Sequence, residues 1–172
     1  MTRRRSLRPA AGTLPRPGTG YALILGLAQG DTLNTESGLT VIETTVVFPP
    51  EAANGEAFAW EFYAERLNAV KLIIVRHDPS KEYYELVGES ETVIPRQIGV
   101  NRFQLREPIP LGFRYMFGIV QPKAPAIPFK KIFNWKTQIT MRPFQRLLTR
   151  RDWFATYGWR YSVRVFWREM QL

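Results

Sequence analysis

Apolar side chains recur at every second position through most of this chain, the period of strands half-buried in a sheet. Residues 39–48 are rich in β-branched side chains and end on Pro49-Pro50 and the turn pair Asn54-Gly55. In AFAWEFYA, residues 57–64, Phe58, Trp60 and Phe62 alternate with Ala59, Glu61 and Tyr63. In VKLIIVR, residues 70–76, Val70, Leu72 and Ile74 alternate with Lys71, Ile73 and Val75, and the pattern predicts that these two segments are adjacent central strands. Residues 83–87, 92–94, 101–105, 115–120 and 132–141 continue the series, with Gly88, Pro95, Gly99, Pro108 and Pro110 between them. Residues 21–29 read as a buried strand, 30–38 as a turn-rich loop, and only 144–154 is assigned to a helix.

The last stretch, WRYSVRVFWREMQ at 159–171, carries the strongest pattern. As a strand it sends Trp159, Tyr161, Val163, Val165 and Trp167 to one face, and Arg160, Ser162, Arg164 and Arg168 to the other. Phe166 is the one apolar residue on the arginine side. The arginines repeat every four residues, roughly 13 Å in a strand. A helix would also gather them on one face. The density of β-branched and aromatic residues favours the strand. Arg160, Arg164 and Arg168 are therefore candidate contact residues for a partner; the alternative is that they pair with acidic side chains of the same chain.

These elements predict an all-β chain: a single antiparallel β-sandwich of jelly-roll type over residues 21–172, with at most one short helix. Residues 1–20 are Arg, Pro, Gly and small side chains without periodicity, and read as a basic arm.

Composition removes several kinds of chemistry. With 172 residues, 45% of them hydrophobic, the chain can bury a sizeable core. No run of 18 apolar residues is present, so no transmembrane segment is expected, and the basic start lacks the apolar stretch of a secretion signal. Zero cysteines exclude disulfides, thiolate metal sites and cysteine nucleophiles, and the single histidine, His77, leaves little for a histidine-based site. GTG at 18–20 lacks the Lys-Ser/Thr of a phosphate loop. Asp31, Asn34 and Glu36 lack the spacing of a calcium loop, and Glu82, Glu85, Glu89 and Glu91 fit a solvated sheet edge. No catalytic site, metal or cofactor is expected, and the chain reads as non-enzymatic.

Charge then separates the chain into parts. Residues 1–20 hold five Arg and no acid; residues 21–107 hold seven basic and thirteen acidic side chains; residues 108–172 hold twelve basic and two acidic. Such asymmetry suits subunits meeting head to tail or a polyanion lying on one side. Arg3, Arg4, Arg5, Arg8 and Arg16 of the arm are candidates for phosphate contacts, for docking on an acidic neighbour or for an anionic membrane surface.

Two resemblances follow from particular motifs. WEFYA at 60–64, VKLIIVR at 70–76, YELVGE at 84–89, GVNRFQL at 99–105, EPIPL at 107–111 and WRYSVRV at 159–165 occur in an order that resembles a lectin-like β-sandwich module of surface proteins. That resemblance implies a glycan-binding adhesion module; in the module a Gly-Asp turn precedes the strand matching Met116–Val120, where this chain has Gly112-Phe113-Arg114. An Arg-rich arm, an apolar strand and AQGDTLNTESGLTVI at 28–42 are similar in layout to small viral jelly-roll coat proteins. The expectation is a structural subunit of a large assembly, most consistent with a virus capsid and located in a virion or intracellular assembly. Its expected partners are copies of itself or neighbouring subunits and, through the arginines, nucleic acid.

Overall fold

The computed structural model describes residues 19–22, 32–77, 80–144 and 148–170. Residues 1–18 of the arm and most of the strand expected at 21–29 lie outside the described residues, while Thr19 and Gly20, read as the end of the arm, belong to a strand. Among the described residues thirteen strands run in order: β1 (Thr19–Ala22), β2 (Leu39–Val47), β3 (Gly55–Ala64), β4 (Lys71–His77), β5 (Tyr83–Glu89), β6 (Gly99–Pro110) and β7 (Met116–Gln121). They continue with β8 (Phe129–Lys131), β9 (Thr137–Thr140), β10 (Leu148–Arg150), β11 (Ala155–Tyr157), β12 (Trp159–Tyr161) and β13 (Val163–Glu169). Two one-turn 3-10 helices, Pro50–Asn54 and Arg151–Trp153, are the only helical pieces among the described residues. None of them is long and apolar enough to cross a membrane. The chain is all-β, as its alternation predicts.

Two antiparallel layers enclose the core. A four-stranded sheet runs β1-β13-β3-β6, and a seven-stranded sheet runs β10-β5-β4-β7-β2-β9-β11. Trp60, Phe62, Val163, Val165 and Trp167 of the first meet Val41, Leu72, Ile74, Phe117 and Ile119 of the second in one apolar cluster. Trp60 and Phe62 stand at the centre, fully buried with ring centroids 4.8 Å apart. Inside the larger sheet the β2 and β7 backbones approach so closely at Gly118 that a Cβ would lie 2.1 Å from the Val41 carbonyl oxygen.

Three expectations need correction. The segments 57–64 and 70–76 are not neighbours in one sheet: β3 belongs to the four-stranded layer and β4 to the seven-stranded one. Their apolar faces meet across the core, which alternation alone cannot distinguish from lying side by side. The helix expected at 144–154 is, where described, β10 and the Arg151–Trp153 turn. Its aromatic residues serve the outer face of the larger sheet, where Phe144 and Phe154 pack on Ile42, Ile73, Val75, Tyr84 and Met116. That cover explains why β4 is apolar on both faces.

The third correction concerns the last stretch, which is two strands rather than one. β12 pairs with β8, while β13 pairs with β3 and β1. Ser162 is the junction: its N–H donates to the Pro128 carbonyl at 3.1 Å, and its carbonyl accepts from Tyr63 N–H at 3.0 Å. The apolar face survives this change of partner, since Tyr161, Val163, Val165 and Trp167 all enter the main core. The arginine face does not, because Arg160 now belongs to a different sheet from Arg164 and Arg168.

Candidate functional site

The three arginines have separate fates. Arg164 lies 3.7 Å from Glu61 and Arg168 lies 2.8 Å from Glu56, both carboxylates on the neighbouring β3. Arg168 also covers the Phe58 ring at 5.0 Å, and Arg102 covers Phe166 at 4.4 Å. Two of the three candidate contact arginines are thus held by acidic side chains of their own chain. Among the described residues Arg160 makes no such salt bridge; it stands on the β8–β12 ribbon, 5.9 Å from the centre of the Trp135 ring and close enough to Glu43 to act on its charge. Arg3, Arg4, Arg5, Arg8 and Arg16 lie outside the described residues.

The ribbon that carries Arg160, with the turn after it, holds cations that the sequence reading did not single out. Lys130 is the direct cross-strand partner of Arg160, and Lys131 that of Trp159. After β8 the chain turns at residues 132–135, where Trp135 N–H donates to the Ile132 carbonyl at 3.2 Å and Asn134 takes a left-handed conformation with φ 62°. Asn tolerates that region better than most residues, which fits its place in the turn. Phe133, beside it at the tip, is 92% exposed. Lys136 follows, also exposed. No salt bridge among the described residues includes Lys130, Lys131, Lys136 or Arg160. Like charges facing each other across two strands repel, so the ribbon holds this arrangement at some expense of stability.

The ribbon rests on an aromatic base and a buried carboxyl. Phe129, Trp159 and Tyr157 form a continuous stack, with centroids 4.2 and 4.1 Å apart. Beneath, Glu43 of β2 is almost fully buried. Its Oε1 accepts from Tyr161 N–H at 3.0 Å, and its Oε2 accepts from Trp135 Nε1–H at 2.7 Å. The Thr137 hydroxyl lies 3.1 Å from Oε2 and also bonds the Trp159 carbonyl. One side chain thereby joins β2, β9, the 132–135 turn and β12. Burial raises its pKa to about 7, against the lowering effect of these hydrogen bonds and of Arg160.

Beside the stack runs a groove of about 380 Å³, walled by Asn34, Glu36, Arg142, Trp153, Tyr157 and Trp159 among others. Arg142 lies over the Trp153 ring at 4.8 Å, and Tyr161 Oη donates to Asn34 Oδ1 at 2.6 Å.

The sequence signal for the ribbon was KKIFNWK at 130–136, three lysines interleaved with two aromatics and no acid. Pairing with Arg160, 30 positions away in the chain, is what turns that run into a patch. Compared with known protein families, curated proteins and solved structures, the chain matches none.

Proposed function

We propose that this chain is a non-enzymatic structural subunit of a large assembly, such as a virus capsid, and that it meets nucleic acid through the β8–β12 ribbon and the 132–135 turn. The observation that carries this is Lys130 facing Arg160 in register, with Lys131 at the next position opposite Trp159, Lys136 exposed after the turn and the exposed Phe133 ring at its tip. Cations at strand spacing suit a phosphate backbone, and an exposed aromatic face gives an unpaired base something to stack on. An acidic protein surface would use the cations but leave Phe133 without a role. The arm arginines, from Arg3 to Arg16, would add phosphate contacts of the same kind.

Light scattering on the purified full chain, together with its ultraviolet absorbance ratio, tests this directly. Closed particles or oligomers carrying nucleic acid are expected. A strict monomer free of nucleic acid, which also ignores added single strands at low salt, would end the proposal.

A glycan-binding adhesion module is the alternative, and the groove beside Tyr157 and Trp159 favours it, since ring faces next to Asn34, Glu36 and Arg142 suit a sugar. Saturable binding on a glycan array by a monomer, lost in Tyr157→Ala, would support that alternative.

A further inference from the structure

The carboxyl beneath the ribbon faces a counting problem that its hydrogen bonds expose. The Thr137 hydroxyl has one proton and two oxygen neighbours, Glu43 Oε2 and the Trp159 carbonyl. A carbonyl oxygen only accepts. When Glu43 is ionised, Thr137 must choose: its proton goes to the carboxylate, and the Trp159 carbonyl loses it. When Glu43 carries a proton on Oε2, both links exist at once, because Glu43 donates to Thr137 and Thr137 donates to Trp159.

We infer that Glu43 is a proton-operated latch, whose protonated form ties β12 to the seven-stranded sheet through Thr137 and whose ionised form releases that tie. On deprotonation the Oε2 proton leaves to solvent and the Thr137 hydroxyl swings from the Trp159 carbonyl to the carboxylate. Nothing else changes covalently. The structure supports a working range near neutrality, since burial sets this carboxyl at about 7.

The charged and titratable groups around Glu43 decide the direction of any coupling. From β12, Arg160 favours the ionised carboxylate, and the Tyr161 phenol is held above its ordinary range, by burial first and then by Glu43 itself. From the start of β9, Lys136 points its chain to the surface. Glu36, in the loop before β2, acts on Tyr161. β7, on the other side of β2, contributes no ionisable side chain across Met116–Gln121. Hydrogen bonds from Tyr161, Trp135 and Thr137 oppose protonation first, and Arg160 is the one charged group that adds its own opposition. A phosphate neutralising Arg160 removes that opposition, so anion binding and proton uptake at Glu43 favour each other, reciprocally. This coupling rests on the nucleic-acid function proposed above; the latch itself does not.

Infrared difference titration of the full chain tests the latch at any particle size. The expected result is a carboxylic C=O band lost with a midpoint near 7, present in His77→Gln and absent in Glu43→Gln. Should Glu43→Gln fail to fold, Thr137→Val provides the second check, because loss of the hydroxyl that receives the proton must move the band's frequency. Absence of the band, its persistence in Glu43→Gln, or an unmoved band in Thr137→Val would overturn the latch. The coupling is read with a fluorescent single-stranded oligonucleotide on either side of neutrality. Binding should be tighter on the acid side, by about tenfold for each unit that bound phosphate raises the carboxyl's pKa, and Glu43→Gln should abolish the difference. An oligonucleotide that fails to bind at any pH would sink the nucleic-acid function while leaving the band titration to judge the latch.

Discussion

Truncating Arg164 to Ala removes the nearer cation from Glu61, a carboxylate that the fold keeps almost out of water. The Arg164 and Glu61 side chains are 12% and 5% exposed and lie 3.7 Å apart. A second cation, Arg102, is 3.9 Å from Glu61 but half of its side chain is in solvent. An exposed pair contributes about 0–1 kcal/mol, whereas stripping one partner from a buried pair costs about 3–5 kcal/mol. Arg102 can move in to cover part of the loss, which places the expected cost of Arg164→Ala at the lower end, about 3 kcal/mol. Protonation limits the damage further. Burial already holds Glu61 above its ordinary pKa against the pull of Arg164 and Arg102, so losing Arg164 pushes the carboxyl further toward its neutral form.

Urea unfolding at neutral pH of the parent, Arg164→Ala, Glu61→Gln and the double variant measures this. The single arginine truncation should be worse than the double variant, because Glu61→Gln removes the stranded charge. A stability for Arg164→Ala within about 0.5 kcal/mol of the parent, the range of an ordinary surface change, would refute the burial argument. Read from sequence alone, Arg164 is a candidate contact residue on the polar face of a strand, where losing an exposed charge costs little. Its neighbour on β3 reverses that expectation.

Other perturbations follow from the packing and the latch. Trp167→Ala should cost about 3–5 kcal/mol in the same assay, since the indole fills the main core, whereas the exposed Phe133→Ala should change stability by less than about 0.5 kcal/mol. Gly118→Ala should yield little folded protein by circular dichroism, because its new Cβ meets backbone rather than a side chain that could rotate away. Glu43 has a folded pKa of about 7, raised above its ordinary 4.5, so its contribution is full below about 4.5 and is lost as pH rises to about 7. The unfolding free energy should fall across that window by an amount on the order of 3 kcal/mol, and Glu43→Gln should remove most of the fall.

How much of this was legible in the sequence depended on the range of the interaction. Alternation is local, so AFAWEFYA, VKLIIVR and the apolar face from Tyr161 to Trp167 could be recognised as core strands without knowing their partners. Sheet membership is not local. Nothing in the order of residues says that β3 and β4 face each other, or that Ser162 passes the chain from β8 to β3. That one exchange of partners divided the arginines, leaving Arg164 and Arg168 against Glu61 and Glu56 while Arg160 joined Lys130. The described part of 144–154 is not the expected helix, because Phe144 and Phe154 cover a sheet's outer face, a role with no period of its own. Glu43 was hidden for a related reason. It sits in a β-branched run, and its donors come from positions 135, 137 and 161.

The salt dependence of single-strand binding tests the central claim, that the β8–β12 ribbon contacts a polyanion. Fluorescence anisotropy of a labelled oligonucleotide would be followed across a salt series for the parent chain and for a variant with Lys130, Lys131 and Arg160 changed to Ala. Each phosphate contact on a single strand adds about 0.7 to the slope of log affinity against log salt. Losing three contacts should therefore flatten the slope by about 2 and weaken binding at low salt. A variant that binds with the parent's slope and affinity would contradict the account.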